Sequence, residues 1–403
     1  MGREKSNRDN LVADASRFPL PASRIRVLHL ITKLEFGGAQ QNTLYTVGHM
    51  DPDRFEIALA CGDGGYLDKE ALLLPAHVQI FWLKFLTRQV RPWWDLPAFI
   101  EIWSVFRRFG PRVAHLHSSK AGILGRWAAW LAGVPIVVHT YHGFGFHDHQ
   151  HPLARGFLAW IERISGWVTT QLVYVSKKNL EYAGRWKIHA QRAPVLIRSG
   201  VNLFDLDRMG AQDRLDKRRE LGLAADALIV ATVANLKRQK NPEAFIELAA
   251  RFEHFRPTPV FLFLGGWEGG GAREDIFSNG PSNLKYLGWR KDAAKILKAG
   301  DIYVLTSLWE GLPRSAVEAL RLGLPVVSYA SDGIAEIVKD SENGFLAPPH
   351  DLDRLEQRLR ELIENPRLRQ AMSLKAKASI SSEFDINIMV RRQEELYEEL
   401  IKL

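Results

Sequence analysis

The sequence predicts an α/β protein in which two doubly wound parallel-sheet domains face each other across a cleft. Short apolar runs alternate with helix-like segments in two successive series, and the change of series falls near residue 200. Such alternation is typical of parallel sheets, because consecutive parallel strands need a crossover connection between them. The chain of 403 residues is also long enough for two domains of ordinary size.

The first series predicts an N-terminal, Rossmann-like domain at residues 25–200, preceded by a flexible tail at residues 1–24. It opens with an apolar run, a Gly pair and a helix, which is how a doubly wound unit begins. Short apolar runs mark the expected strands, at residues 25–31, 55–60, 113–117, 136–139 and 171–175.

The second series predicts a C-terminal domain at residues 201–384. Its expected strands lie at residues 228–234, 260–264, 302–306 and 325–328. An amphipathic helix is expected at residues 385–403, and we expect it to pack back on the N-terminal domain.

Composition excludes several classes of protein. Apolar residues make up 46% and charged residues 25% of the chain, which argues against disorder. A single Cys excludes a disulfide framework and fits a reducing compartment. We find no apolar run of the roughly 18 residues that a membrane-spanning helix needs, and no apolar segment typical of a secretory signal. These features predict a cytoplasmic protein.

Charge is distributed unevenly along the chain. Residues 1–200 carry 25 Lys+Arg and 15 Asp+Glu, a net charge of +10, whereas the remainder carries −2. A basic half suits an anionic membrane surface, an anionic acceptor or nucleic acid, although a merely solvated surface explains it equally well. Because no nucleic-acid recognition motif accompanies the charge, we expect no nucleic acid partner.

Tryptophan and arginine are interleaved between residues 81 and 112, a mixture that suits a membrane interface. We expect residues 81–94 to be a candidate for touching lipid. For residues 96–109 we favour a crossover helix, capped by Asp95 and carrying Pro97 in its first turn, whose apolar face packs on the sheet. That face would contain Leu96, Phe99, Ile100, Trp103 and Phe106.

The glycine-rich loops limit the classes of nucleotide-binding protein to which the chain can belong. No G-x-G-x-x-G fingerprint and no Walker A sequence occur, which disfavours a nicotinamide enzyme or a P-loop ATPase. Gly37 and Gly38 nevertheless stand where the first strand meets the first helix. Glycines there let backbone N–H groups approach an anion, and the helix N-terminus adds partial positive charge. The loop is either a phosphate contact or a tight turn.

The strongest constellation is a pair of carboxylates, Glu310 and Glu318, eight residues apart around Pro313. Pro313 suits the first turn of a helix, which would place Glu318 roughly 7–8 Å along that helix. Backbone amides between the two carboxylates would point at an anion. The expected donor-binding residues of this segment are Gly311, Leu312, Pro313, Arg314, Ser315 and Glu318.

This segment, with the strand-like sequence GLPVVS at residues 323–328, resembles family 4 of the GT-B glycosyltransferases. The resemblance extends over most of the chain from about residue 25. It implies a GT-B fold and a retaining, metal-independent hexosyltransferase. Such an enzyme moves a hexose or N-acetylhexosamine from a nucleoside-diphosphate sugar, UDP before GDP, to a polysaccharide or lipid-linked glycan. It implies no cofactor.

The resemblance also implies roles for individual residues. Glu310 would hold hydroxyls of the donor sugar, and Glu318 would bind the nucleotide ribose. Lys240 would stabilise the charge that develops on the leaving diphosphate, with the Gly37–Gly38 loop beside it. His142 would lie near the donor sugar and the acceptor. Five histidines lie between residues 139 and 151, and such a cluster suggests a zinc site. No Cys accompanies them, and we expect no metal.

One position departs from the family pattern. Asn235 stands where the family usually has Arg, while Lys240 is kept. Arg238 or Lys237 compensates for the missing charge, or Lys240 acts largely alone.

Two other interpretations stay open. The chain could be another sugar-nucleotide enzyme of this fold, such as an epimerase or a phosphorylase. It could also be a catalytically lapsed, nucleotide-sugar-binding partner subunit, which the Asn235 departure favours. In the leading interpretation the protein would work in the cytoplasm, in peripheral contact with the inner face of the cytoplasmic membrane.

Overall fold

The two predicted parallel sheets are present in the computed structural model, which describes residues 24–147, 150–267 and 274–402. One sheet has seven strands and the other has six, and the strand pairs of the described residues run parallel, which confirms the predicted fold class. The predicted tail, apart from Arg24, lies outside the described residues, as does His149.

The N-terminal domain contains the seven-stranded sheet, in the order β3-β2-β1-β4-β5-β6-β7. Its elements are β1 (Ile25–Lys33), α1 (Gly38–His49), β2 (Phe55–Gly62), α2 (Asp68–Ala71), β3 (Gln79–Leu83), α3 (Pro92–Phe109), β4 (Val113–His117), α4 (Ser119–Ala132), β5 (Ile136–Tyr141), α5 (Pro152–Gly166), β6 (Gln171–Tyr174), α6 (Lys177–Arg185) and β7 (Val195–Leu196).

The C-terminal domain contains the six-stranded sheet, in the order β10-β9-β8-β11-β12-β13. Its elements, with the final helix, are α7 (Leu203–Arg208), α8 (Ala211–Glu220), β8 (Ile229–Val233), α9 (Pro242–Arg251), β9 (Val260–Leu264), β10 (Leu284–Tyr286), α10 (Ala293–Ala299), β11 (Ile302–Leu305), α11 (Arg314–Arg321), β12 (Val326–Tyr329), α12 (Ile334–Ile337), β13 (Gly344–Ala347), α13 (Leu352–Glu364), α14 (Pro366–Ser379) and α15 (Ile386–Lys402).

Strand order reverses once in each sheet, between β1 and β4 and between β8 and β11. In open α/β sheets, ligands bind in the crevice beyond the carboxyl ends of the strands at such a reversal. The ends of these four strands and the loops that follow them contain the Gly37–Gly38 turn, His117, Lys240 and Glu310. The topology alone therefore brings most of the predicted site to two crevices.

The chain crosses between the domains twice, and the two crossings are paired. Val201 forms a parallel bridge with Asp385, and the Val201 amide donates to the Phe384 carbonyl at 2.8 Å. Helix α15 then packs on the N-terminal domain, where Met389 and Tyr397 join the hydrophobic cluster of the first sheet. A buried helix from the end of the chain thus completes the core of the first domain.

The four strands that the sequence did not predict all lie at or next to a sheet edge. They are short, and β7 has only two residues and β10 three. Strands β7 and β10 are too short to give an apolar run. Strand β3 does contain one at residues 80–83, which falls partly within residues 81–94, predicted to be a candidate for touching lipid. The unpredicted strands are β3, β7, β10 and β13.

Helix α3 differs from its prediction in two ways. It begins at Pro92, so Asp95 lies in its first turn rather than at its cap, where the Asp95 carboxylate accepts the Arg91 amide at 3.1 Å. The face that packs on the sheet is Ala98, Ile102, Phe106 and Phe109. Of the predicted face, Phe106 is buried and Phe99 is partly buried, whereas Leu96, Ile100 and Trp103 are 65%, 54% and 39% exposed. The helix carries two apolar stripes, and the one that contains Ala98 packs on the sheet.

Candidate active site

The two crevices join into one cleft between the domains, with a volume of about 1620 Å³. Both domains line it, and they also touch across it. The Trp309 ring stacks on His147 with ring centroids 4.0 Å apart, and Trp289 stacks on Phe36 at 4.6 Å. Most of the predicted site residues lie on its wall, including Gly37, Gly38, His142, Asn235, Lys240, Glu310 and Glu318.

Lys240 and Glu310 form an ion pair on the C-terminal wall, with the Lys240 ammonium donating to a Glu310 carboxylate oxygen. The two loops that carry them are bonded together. Thr306 Oγ1 donates to the Lys240 carbonyl at 2.9 Å, and the Leu308 amide donates to the Gln239 carbonyl at 2.8 Å. Because Lys240 and Glu310 sit on loops from neighbouring strands β8 and β11, the sheet itself brings them together.

The Glu310–Gly311 peptide is held between three segments. The Glu310 amide donates to Asp332 Oδ2 at 3.0 Å, which orients the loop from the end of the neighbouring strand. A Cβ atom on Gly311 would lie 2.0 Å from the carbonyl oxygen of His142 in the other domain. On Gly333 it would lie 1.9 Å from the Gly311 carbonyl oxygen. Glycine at position 311 therefore permits the two domains to approach this closely.

Helix α11 carries Glu318 and Arg314 into the cleft. Burial raises the pKa of the Glu318 carboxyl, and the Arg314 charge opposes that rise. Burial likewise lowers the pKa of Arg314, while Glu318 opposes the change. The Arg314 guanidinium crosses the cleft, donating to the Gln41 side chain at 2.7 Å and to the Gly38 carbonyl at 3.4 Å. Arg314 thus links the donor helix to the N-terminal glycine turn.

Residues at the start of α11 line the cleft. The first amides of a helix have no intrahelical partner, which here applies to Arg314 and Ser315, whereas Leu312 lies two residues before the helix. Pro313 precedes the helix and has no N–H. It can therefore shape the backbone but cannot donate a backbone hydrogen bond, unlike the other predicted donor-binding residues of this segment. The Ser315 hydroxyl shares a 2.7 Å hydrogen bond with Tyr303 on β11, which fixes the helix to its strand.

The glycine turn on the opposite wall begins α1. Gly37 is the N-cap residue in an extended conformation, and Gly38 is the first helical residue. A Cβ atom on Gly38 would lie 3.0 Å from the Arg314 side chain, so this glycine leaves room for the guanidinium. The turn therefore presents helix amides and a neighbouring cation to the same part of the cleft.

The structure separates the two candidates for replacing the missing arginine charge. Lys237 lines the cleft beside Asn235, whereas Arg238 is exposed and lies outside the lining. The prediction of Arg238 as a donor-binding residue is therefore not supported by its position. The Asn235 side-chain oxygen is buried and has no hydrogen-bond partner among the described residues, so it is available to a ligand donor.

His142 follows β5 and contacts both domains. Burial, with the nearby Arg314 charge, lowers its pKa to about 4, so the imidazole is neutral at physiological pH. Its Nε2 lies 3.2 Å from Nδ1 of His117, at the end of β4. Its Nδ1 is buried and has no partner among the described residues.

Among the described residues, the histidines with metal-binding geometry are not those that suggested zinc in the sequence. Of the five that tempted a zinc assignment, His139 is buried against the Leu116 carbonyl and His147 stacks on Trp309. A different trio, His29, His115 and His117, places its ring nitrogens within 4.8 Å of one another. Some of those nitrogens already have hydrogen-bond partners, because His115 bonds Thr140 at 2.6 Å and His29 bonds His117 at 3.1 Å.

Sequence reasoning missed several residues of the site. Asp332 follows β12, which neighbours β11, so the position was recoverable once the strand order was known. His117 stands two residues after His115 on a strand, and such residues share a face. No local sequence pattern marks Gln41, because Arg314, which donates a hydrogen bond to it, lies 273 positions away in the chain.

Solved structures share this fold. A crystal structure of HepE from Anabaena in complex with UDP-glucose matches with a TM-score of 0.78 and 20% identity, covering 93% of this chain and all of that one. The lipopolysaccharide glycosyltransferase WaaG matches with a TM-score of 0.73 and 14% identity, covering 92% of this chain and 99% of that one. These likenesses show the fold, which is the GT-B arrangement of two facing parallel-sheet domains.

Sequence comparison gives the family. The profile of glycosyl transferases group 1 matches residues 213–379, and that of the glycosyl transferase 4-like domain matches residues 37–197. An Escherichia coli UDP-Gal:α-D-GlcNAc-diphosphoundecaprenol α-1,3-galactosyltransferase is 31% identical over 94% of this chain and 98% of the relative. The chain belongs to the group 1 family of glycosyltransferases, which confirms the resemblance noted in its sequence.

A second relative has a related activity. It is the N,N'-diacetylbacillosaminyl-diphospho-undecaprenol α-1,3-N-acetylgalactosaminyltransferase of Campylobacter jejuni, 24% identical over 79% of this chain and 85% of the relative. Among the described helices, none has the length and apolar character needed to cross a bilayer.

Proposed function

We propose that this protein is a retaining, metal-independent transferase that moves a hexose from a UDP-sugar to a glycan on a polyprenyl diphosphate. The observation that carries the proposal is the Lys240–Glu310 pair, held across from the Gly37–Gly38 turn in a cleft lined by both domains. The Escherichia coli relative, similar over nearly its whole length, supports a UDP-sugar donor, with galactose as the first candidate.

The chemistry follows from where charge develops. The bond between the sugar C1 and the diphosphate oxygen breaks, and negative charge grows on the diphosphate. Lys240, Arg314 and the first amides of α11 are positioned to stabilise that charge, as a metal ion does in other enzymes. The acceptor oxygen then bonds C1 on the same face, and its proton passes to the departing diphosphate. Glu310 orients the sugar through its hydroxyls.

The diphosphate of the donor approaches a cation that is already paired with a carboxylate. With no donor bound, Lys240 is neutralised by Glu310, so neither charge is buried alone, an arrangement that avoids a large desolvation cost. When the diphosphate arrives, Lys240 can turn toward it while Glu310 accepts sugar hydroxyls in its place. One pair of side chains thereby serves both halves of the donor.

The acceptor side has a surface suited to a membrane. We define the aromatic face as the exposed apolar side chains of the neighbouring helices α3, α4 and α5. Arginines on the same helices, among them Arg91, Arg107 and Arg108, are exposed as well. Apolar residues among cations suit an anionic bilayer surface. The members of the face are Trp93, Leu96, Ile100, Trp103, Trp130, Leu131, Leu153, Phe157 and Trp160.

The aromatic face runs into the active-site cleft. Phe157 is 59% exposed and also lines the cleft, next to Leu158 and Ile161 of the same helix. A glycan carried on a membrane lipid could therefore reach the donor sugar while the protein rests on the inner leaflet. This geometry favours a lipid-linked acceptor over a free polysaccharide.

The experiment is an assay of the purified protein with UDP-galactose, UDP-glucose, UDP-N-acetylgalactosamine and GDP-mannose. Each donor is offered with and without N-acetylglucosaminyl-diphosphoundecaprenol. We expect UDP release that depends on the acceptor, is greatest with a UDP-hexose, persists in EDTA, and yields an α-linked product by NMR.

Each part of the proposal can fail separately. Donor turnover without any acceptor would favour an epimerase or a hydrolase. Phosphate-dependent cleavage would favour a phosphorylase. Donor binding without turnover across lipid-linked and free glycan acceptors would favour a lapsed binding subunit. A β-linked product would overturn retention, and loss of activity in EDTA that Mg²⁺ or Mn²⁺ restores would overturn metal independence.

A further inference from the structure

Two buried histidines and the partly buried His142 form a hydrogen-bonded row that ends at the active-site cleft. Nε2 of His142 lies 3.2 Å from Nδ1 of His117, and Nε2 of His117 lies 3.1 Å from Nδ1 of His29. His29 is wholly buried and His117 is 3% exposed. We call these three residues the histidine row.

The row is built by the sheet. His29 lies on β1 and is paired in register with His115 on the neighbouring strand β4, and His117 lies two residues further along β4. Residues two apart on a strand share a face, so His29 and His117 are brought together on the same side of the sheet. His142 comes from the end of the next strand, β5.

The two ends of the row differ in their surroundings. Nε2 of His29 is buried and has no hydrogen-bond partner among the described residues. Nδ1 of His142 also lacks a partner there, but His142 lines the cleft, where a ligand can supply one. Buried polar groups without a partner need an explanation, and a ligand atom is a common one.

This difference sets the direction of the hydrogen bonds. A neutral imidazole carries one N–H, so the row runs either from His29 outward or from His142 inward. An inward row would leave a permanently orphaned N–H on His29, and buried orphaned N–H groups are rarer than buried acceptors without a donor. An outward row leaves a lone pair on His29 and an N–H on Nδ1 of His142, where a substrate oxygen can accept it.

We propose that His117 and His29 are positioning residues that hold His142 as the Nδ1–H tautomer, so that His142 donates a hydrogen bond to a substrate oxygen. The oxygen is a sugar hydroxyl or a diphosphate oxygen, and this identity rests on the proposed function. In this arrangement His142 acts as a donor that orients or stabilises substrate, and it does not remove the acceptor proton.

The surrounding structure supports a fixed row. His115 packs against both His29 and His117 with ring centroids 5.1 Å and 4.3 Å away, but its own nitrogens bond outside the row. One bonds Thr140 at 2.6 Å, and the other bonds the Tyr397 hydroxyl of helix α15. Proton export along the row would need a protein acceptor at Nε2 of His29, and the described residues offer none.

The direct test is a ¹⁵N NMR spectrum of the full-length protein labelled at histidine, since a ring nitrogen that bears hydrogen is distinguished by its chemical shift. We expect His142 to bear hydrogen at Nδ1 in the wild type. In His117→Phe we expect His142 to become a mixture of tautomers, and in His117→Gln, whose amide can accept and donate, we expect the Nδ1–H form again. Hydrogen at Nε2 of His142 in the wild type would overturn the proposal.

His115→Phe is the matched control. It removes a buried histidine from the same strand, two residues away, that packs against the row but forms none of its hydrogen bonds. We expect it to lower the melting temperature and to leave the His142 tautomer unchanged. If His115→Phe disturbs His142 as much as His117→Phe does, the effect is general packing and the proposal fails.

Kinetics supply the second readout. One neutral hydrogen bond is at stake, so we expect His117→Phe to lower kcat by about three- to tenfold with little change in donor KM. In a His142→Ala background the same substitution should cost nothing further, because the row then has no group to position. An equal loss in both backgrounds would overturn the proposal.

The two proposals fail in distinguishable ways. If the wild type shows the Nδ1–H tautomer but transfers no sugar, the positioning by His117 stands and the proposed reaction is wrong. If the wild type transfers sugar while His142 carries hydrogen at Nε2, the reaction stands and the positioning is wrong.

Discussion

The two walls of the cleft are built differently. On the C-terminal wall, charged groups are held by short local connections, with Lys240 paired to Glu310 and the Glu310 amide bonded to Asp332. The N-terminal wall combines the glycine turn and the neutral imidazole of His142 with charged side chains such as Arg88 and Lys120, and at Phe157 it meets the exposed aromatic face. In the proposed function the first wall holds a small, highly charged donor, and the second receives a larger acceptor that arrives on a lipid.

This difference predicts how each wall responds to single substitutions. Electrostatic stabilisation in a water-poor site depends on the position of a few charges, so single substitutions on the C-terminal wall should have large effects on rate. A broad apolar face shares its binding energy among many side chains, so single substitutions there should have small effects. The following predictions test this contrast, from the largest effect to the smallest.

Lys240→Ala should lower kcat/KM by about 10²–10³, the usual result of removing one well-placed electrostatic donor. The measurement is acceptor-dependent release of UDP. Because the substitution also leaves Glu310 unpaired against the diphosphate, the double variant Lys240→Ala/Glu310→Gln should bind UDP more tightly than Lys240→Ala alone. Turnover of Lys240→Ala near the wild-type rate would remove Lys240 from the site.

Gly311→Ala should lower kcat/KM by at least about tenfold, because the new Cβ would lie 2.0 Å from the His142 carbonyl oxygen and would push the two walls apart. Steady-state kinetics and thermal unfolding measure the effect. Gly184→Ala, on helix α6, is the control, since a Cβ there meets nothing within 4 Å. If both variants behave like the wild type, the walls do not need this close contact.

Replacing Trp93 and Ile100 of the aromatic face with Ser should weaken binding to vesicles containing anionic lipid by about tenfold, because apolar area is removed from the contact. Sedimentation with phosphatidylglycerol vesicles measures the change. The control is Phe204→Ser/Leu374→Ser, which alters exposed apolar residues of the second domain. Equal loss in both double variants would mean that the contact is not specific to the aromatic face.

Stability should fall as the pH is lowered from about 6.5. Burial lowers the pKa of His29 to about 3 and, with the Arg314 charge, that of His142 to about 4 in the folded protein. Below their ordinary pKa near 6.5, the unfolded chain binds protons that the native protein does not, so the native state is destabilised until those lower values are reached. Each histidine should contribute about 1 kcal/mol per pH unit in this window.

Urea unfolding at pH 7.5, 6.5 and 5.5 measures this dependence. Burial lowers the pKa of five histidines, namely His29, His115, His117, His139 and His142. His29→Phe removes one of them and should make the free energy of unfolding depend less steeply on pH below 6.5. An unchanged slope in His29→Phe would show that His29 is protonated in the native state.

The donor half of the site could be predicted from sequence because its parts are close in the chain. Glu310, Pro313 and Glu318 lie within one loop and helix, so their spacing already carries the geometry. The central strands were equally readable from their apolar runs. Lys240 was found through a family resemblance, and its partner became clear once β8 and β11 were seen to be neighbours.

The acceptor half could not be predicted to the same extent. The histidine row joins positions 29, 117 and 142, whose relation depends on sheet order and register. Arg238 was taken as a site residue because it is charged and adjacent, but the turn directs Lys237 to the cleft instead. The exposed stripe of α3 was assigned to the interior because a helix with two apolar stripes gives no local sign of which one the sheet covers.

The paired crossings and helix α15 have a consequence for biosynthesis. Tyr397 and its neighbours on that helix belong to the core of the domain that begins at β1, more than 360 residues earlier. While the ribosome is still translating the second domain, the first one has an apolar surface that nothing covers. The half of the enzyme that emerges first is therefore the half that matures last, and chaperones should hold its nascent form for the longest time.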